Sequence, residues 1–146
     1  MKVVVIDDDP TGSQTVHSCP LLLRWDVDTL RRGLRHASPL LFLLADTRAL
    51  TPTAAAERNR GIAAALDQAL QREGLARDQV LLVSRGDSTL RGHGVLEPEV
   101  LQASFGPFDA TFHVPAFLEG GRTTVNGVHL LLSLIHISEP TRRSYI

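Results

Sequence analysis

Short apolar runs alternate with amphipathic stretches along most of the chain. Val3-Val4-Val5-Ile6 is β-branched and bounded by turn formers, the pattern of a strand buried on both faces. Leu40 to Leu44 and Val80 to Val83 repeat it. Between these runs lie two helical patterns. Asp26 predicts the N-cap of a helix to about His36, with Val27, Leu30 and Leu34 on one face. Thr51 and Pro52 predict the start of the longest helix, about 52 to 73, with Ile62, Leu66, Ala69 and Leu70 as its buried stripe and Gly74 past its end. A helix from about Leu96 to Ser104 and a strand around Ala110 to Val114 are expected next. Asn126-Gly127, between Thr123–Val125 and Val128–Leu130, predicts a tight hairpin. Gly12 to Ser18 reads as a short helix or a loop. The segment Leu21-Leu22-Leu23 is apolar and of open type, with Trp25 expected in the core. The alternation predicts an α/β fold: a three-layer domain with a mostly parallel sheet and helices on both faces.

Composition narrows the partners. A chain of 146 residues suits one domain with a sizeable core, and a formal charge of −1 offers no basic field for nucleic acid or an anionic membrane. Cys19 is the single cysteine, which excludes an intramolecular disulfide and a cysteine-rich metal site and suits a reducing compartment. No run approaches the ~18 apolar residues of a membrane span, and no leader pattern opens the chain, so a cytoplasmic protein is expected. Lys2 is the only lysine; every other basic residue is arginine.

Candidate chemistry gathers where the strands end. Asp7-Asp8-Asp9-Pro10-Thr11-Gly12 follows the first strand, and in open parallel sheets the carboxyl ends of the strands are where ligands bind. Three adjacent carboxylates repel one another and gain little as a plain turn. The second strand ends in Asp46, Thr47 and Arg48. The third runs into Ser84-Arg85-Gly86-Asp87-Ser88-Thr89-Leu90-Arg91-Gly92-His93. Arginine forks grip carboxylates or phosphates at two points, hydroxyls and Asp pair with sugar hydroxyls, and glycines let backbone N–H groups approach a ligand. A solvated loop with Arg85 or Arg91 bridged to Asp87 is the plain alternative. Pro115 to Arg122 is a third loop in which an arginine stands beside glycines. His93 and His17 lie near these loops; His36, His113, His129 and the Arg31-Arg32-Arg35 cluster read as structural or solvated positions.

Together the three loops resemble the N-terminal domain of the four-carbon acid sugar kinases. Asp8-Asp9-Pro10-Thr11-Gly12 is similar to that family's D-D-x-T-G, and Asp87-Ser88-Thr89-Leu90-Arg91-Gly92 to its D-S-T-L-R-G. Pro115-Ala116-Phe117 with Gly121-Arg122-Thr123-Thr124 and Gly127 supplies a third match. The resemblance implies the sugar-acid-binding half of a two-domain kinase for threonate, erythronate or oxo-tetronate type acids. It implies a pocket lined by Asp8, Asp9, Asp87, Ser88, Arg91 and Arg122, with Thr11, Gly12, Arg85, Thr89 and Gly92 as further substrate contacts. Asp8 or Asp9 would be the base or orienting group, and Arg91 a carboxylate clamp. Arg85 stands where many relatives carry Lys.

ATP and Mg2+ are expected with the full-length parent and not with this fragment. No G-x-x-x-x-G-K-[ST] loop is present, and no metal site is assigned. The partner implied is a C-terminal nucleotide-binding domain, without which the fragment is expected to be inactive. Residues 1–131 are taken as the domain. Residues 132–146 resemble translated sequencing adapter and are expected to be non-native. Two other classes share part of the pattern. A haloacid-dehalogenase-like phosphatase would use Asp7 as nucleophile and Asp9 as acid/base, but the acidic pair it needs after Ser84 is missing. A receiver-like signalling domain would use Asp46, but requires a Lys on its last strand.

Overall fold

The computed structural model describes residues 1–87 and 91–131, which form two compact units divided after Phe108. The expectations for Ser88, Thr89 and residues 132–146 fall outside the described residues. In the first unit, β1 (Lys2–Asp7), β2 (Leu21–Leu22), β3 (Leu40–Leu44) and β4 (Val80–Arg85) form one parallel sheet in the order β2-β3-β1-β4. Parallel neighbours need crossover segments. These are α1 (Val27–Arg35) between β2 and β3, and α2 (Pro52–Glu73) between β3 and β4; α3 (Leu96–Phe105) follows β4.

The helix boundaries follow from local chemistry. The Asp26 carboxylate accepts from the Thr29 N–H at 3.0 Å and caps α1. Thr51 Oγ1 accepts from the Ala54 N–H at 3.4 Å, with Pro52 opening α2. At the other end of α2, Gly74 takes the left-handed conformation, φ 66°, that its lack of a Cβ permits.

The α/β class and the mostly parallel sheet are as expected. The pleat shows how the layers divide. Val4 and Ile6 of β1, Leu41 and Leu43 of β3 and Leu82 of β4 share one face. They join Leu30 and Leu34 of α1, Ile62, Leu66 and Leu70 of α2, and Leu101 and Phe105 of α3 in a single core. All three α-helices thus contribute to one layer, and the second helical layer is not among the described elements. On the opposite face Val5 and Phe42 are buried and Leu81 is half exposed. The Arg31-Arg32-Arg35 cluster departs from a plain solvated face: Arg31 Nε and Arg35 Nε reach Glu73 at 2.7 and 2.6 Å and tie α1 to the end of α2. Trp25 packs against the core as expected, with the Arg58 guanidinium 5.8 Å from its ring centre.

The second unit contains a hairpin of β5 (Arg122–Val125) and β6 (Val128–Leu131), joined at Asn126-Gly127 as expected. The strand expected around Ala110 to Val114 is absent. A strand exists only through ladder pairing, and the backbone bond in this stretch is a local one, from Ala116 N–H to Val114 C=O at 2.9 Å. His129, expected to be structural, is buried, with Nδ1 2.9 Å from Thr124 Oγ1. Among the described residues no helix is long and apolar enough to cross a membrane.

Leu66 is fully buried where α2 crosses the sheet. Leu66→Ala is expected to lower the unfolding free energy by about 3 kcal/mol, read from urea denaturation. A loss below about 1 kcal/mol would mean that α2 does not seal this core.

Candidate functional site

Because β1, β3 and β4 are parallel and in register, with Asp7 level with Leu44 and Arg85, their polar exits meet at one edge. The backbone ties the exits together. Asp7 C=O accepts from Ala45 N–H at 2.8 Å, Asp8 C=O from Arg48 N–H at 3.1 Å, and Asp8 N–H donates to Arg85 C=O at 3.1 Å. The three carboxylates then take three different environments.

Asp7 is fully buried. Its Oδ1 accepts from Arg85 Nη1 at 3.1 Å, and its Oδ2 has no hydrogen-bond partner among the described residues. Burial raises its pKa, and the Arg85 charge opposes that rise. Gly12 lies so close to this pair that a Cβ would collide with Asp7 Oδ2 and the Arg85 guanidinium, so a larger residue would have to displace this pair.

Asp8 is also buried, 2% exposed, and both its oxygens lie in the Arg48 fork: Nη2 to Oδ1 at 2.8 Å and Nε to Oδ2 at 3.1 Å. The Asp87 N–H reaches Asp8 Oδ2 at 3.4 Å. Gly86 and Gly92 close around the same oxygen; a Cβ on Gly92 would stand 2.9 Å from it, at a backbone φ of 83°.

Asp9 is the most open of the three, with Oδ2 3.0 Å from Arg48 Nη1. Its Oδ1 accepts from the Thr11 hydroxyl and, at 2.8 Å, from the Thr11 N–H. These bonds hold the Asp9 carboxyl below the usual carboxylate range. Arg48 in turn is raised, chiefly by its hydrogen bonds to Asp8.

Of the expected residues, Asp8, Asp9, Thr11, Gly12, Arg85, Asp87, Arg91 and Gly92 come from the loops at this edge. Arg91 is paired with Asp87, Nη2 to Oδ2 at 2.8 Å, while its side chain stays 62% exposed. This is the bridge that the plain-loop alternative foresaw. Arg122 belongs to the second unit, where its backbone pairs with Phe117.

Four residues outside the expected site take part. Arg48 forks Asp8 and reaches Asp9. Behind it Glu97, 5% exposed in the first turn of α3, accepts on Oε1 from the Thr47 hydroxyl and, at 3.2 Å, from Asn59 Nδ2. Burial raises the Glu97 pKa, and the two hydrogen bonds pull the other way. Arg48 was discoverable in the polar exit of the second strand. Glu97 and Asn59 lie within helical patterns and carry no signal of their own.

An acidic edge braced by arginines, with hydroxyls and glycines at its rim, has the donors and acceptors that a polyhydroxy anion needs. The model of one family, the sugar-binding N-terminal domain, matches residues 3–144, and the chain belongs to that family. No curated protein matches the chain. Small-molecule sugar binding is therefore its class of function.

The raised pKa of Glu97 has a definite sign. The folded state holds the Glu97 proton more tightly than the unfolded chain, so its contribution to stability falls as pH rises from about 4.5 toward the folded value and is constant beyond it. Glu97→Gln removes this titration. The stability of Glu97→Gln relative to wild type should grow with pH above 4.5, by at most about 1.4 kcal/mol per pH unit, in urea melts from pH 4 to 8. A difference that does not change with pH would contradict the raised value.

Proposed function

We propose that the β1, β3 and β4 edge binds a four-carbon sugar acid of the threonate, erythronate or oxo-tetronate type, as the acceptor-binding half of an ATP-dependent sugar-acid kinase. The observation that carries this reading is the meeting of the two motif loops on one carboxylate: Asp87 N–H and Gly92 both close on Asp8 Oδ2. In that arrangement the acidic loop and the arginine loop face one ligand.

The roles divide by environment. Asp8, enclosed in the Arg48 fork, is a holder. Asp9, open and kept ionised by the Thr11 bonds, is better disposed to accept a hydrogen bond from the acceptor hydroxyl and orient it for in-line attack. Arg91, whose head is exposed, is placed to meet a substrate carboxylate, and turning toward it would take the guanidinium from the largely buried Asp87 carboxylate. Arg48 lends further positive charge.

The proposal assigns ATP and Mg2+ to a nucleotide domain of the parent kinase. Among the described residues no three His, Cys, Asp or Glu side chains are grouped as a metal ion would need. The phosphatase reading fits the geometry poorly, since its nucleophile Asp7 is wholly buried and braced by Arg85.

Threonate or erythronate at millimolar concentration should raise the melting temperature of the chain. Erythritol, which lacks the carboxylate, should do so far less, and ATP not at all. Asp87→Ala or Arg91→Ala should weaken sugar-acid affinity by about 10-fold to 100-fold, the worth of a hydrogen bond to a charged group. An equal response to erythritol would remove the acid from the reading, and an ATP response as large as threonate's would remove the division of labour.

A further inference from the structure

The loop from Ala45 to Leu50 carries Arg48, the residue that holds Asp8 and Asp9 together. It is pinned at two points by the turn that follows the Arg91 loop. His93 Nε2 lies 2.9 Å from Leu50 C=O, and the Glu97 carboxylate takes the hydroxyl of Thr47, the residue before Arg48. The turn is itself closed by a bond from Glu97 N–H to His93 C=O at 3.0 Å. Thr47 and Asn59 are fully buried, and Asn59 Nδ2 is shared between Glu97 and Ala55 C=O, which anchors the carboxylate to α2. Glu97 thus joins three elements beneath the site: the β3–α2 loop, α2 and the start of α3. Its second oxygen lies toward the site, 3.7 Å from where a Cβ on Gly86 would stand, and the same point is 3.3 Å from Asp8 Oδ2.

We propose that Glu97 is a positioning residue. By holding Thr47 and Asn59 on one carboxylate oxygen, it fixes the loop that aims the Arg48 fork, and so sets the affinity of the edge for an anionic sugar. The affinity clause rests on the sugar-acid reading above; the positioning clause does not. Glu97 touches no ligand in this scheme and acts through Thr47 on Arg48. A side chain that served only to fill space beneath α3 would leave the Arg48 guanidinium unmoved when exchanged for one of similar size.

The experiment follows the Arg48 Nε–H, which donates to Asp8 Oδ2, by its exchange with solvent in nitrogen-15 NMR spectra of the full chain, with threonate affinity measured in parallel. In Thr47→Val, which keeps shape and deletes the hydroxyl, exchange of the Arg48 Nε–H should quicken by about tenfold or more and threonate affinity should fall by about tenfold. Glu97→Ala should do the same, and Glu97→Gln, which retains an oxygen for both donors, should restore most of the protection. Should Glu97→Ala fail to fold, Thr47→Val decides alone. Unchanged Arg48 exchange in Thr47→Val overturns the proposal. If wild type binds no threonate, the sugar-acid reading fails, and the exchange measurements still decide whether Glu97 positions Arg48.

Discussion

The structure turns on one guanidinium. Arg48 takes both oxygens of Asp8 and one of Asp9, and without it the end of β1 would bury an uncompensated charge. An ionised carboxylate removed from water is tolerated only with a partner and further hydrogen bonds. Asp8 has both, in the Arg48 fork and the Asp87 N–H. Asp7 is less fully served, with one oxygen on Arg85 and the other without a bond among the described residues, and burial makes its carboxyl harder to ionise. Three identical side chains in sequence therefore have three different characters. Burial and partners make the difference, since the residue type is constant.

The arginines that balance this edge come from two strand exits: Arg48 follows β3, and Arg85 ends β4 with Arg91 beyond it. Parallel pairing in strict register brings these exits together. The glycines then set how closely the loops approach, with Gly12 against the Asp7 and Arg85 pair and Gly86 and Gly92 against Asp8. The sugar site proposed for this edge rests on fixed carboxylates as acceptors and an exposed arginine head beside them. Glu97 adds a layer beneath, joining the loop that bears Arg48 to the turn after the loop that bears Arg91.

Local chemistry made much of this legible in the chain itself. The caps at Asp26, Thr51 and Gly74, the crossover helices, three of the four parallel strands and the Asn126-Gly127 hairpin all follow from nearest-neighbour rules, because caps and turns are satisfied within a few residues. The acidic loop and the Arg91 loop were legible for a related reason: polar residues that interrupt apolar strands have few structural uses. The strand around Ala110 to Val114 was misjudged because a strand depends on a partner, which no local pattern supplies. An apolar strand shows that its faces are covered, and not by what, so only the structure shows that α1, α2 and α3 share one core.

The sequence by itself determined the α/β alternation, the edge where polar groups collect and the residue types available for an anionic sugar. Only the tertiary structure decided which charges pair. Arg85 went to Asp7, Arg91 to Asp87, and Arg48 to Asp8 and Asp9 across some forty residues. Glu97, read from the chain as one more helical residue, became the buried anchor of the Arg48 loop. The reason is that ion pairing and burial depend on distances through space, and strand register sets these only after the sheet has formed.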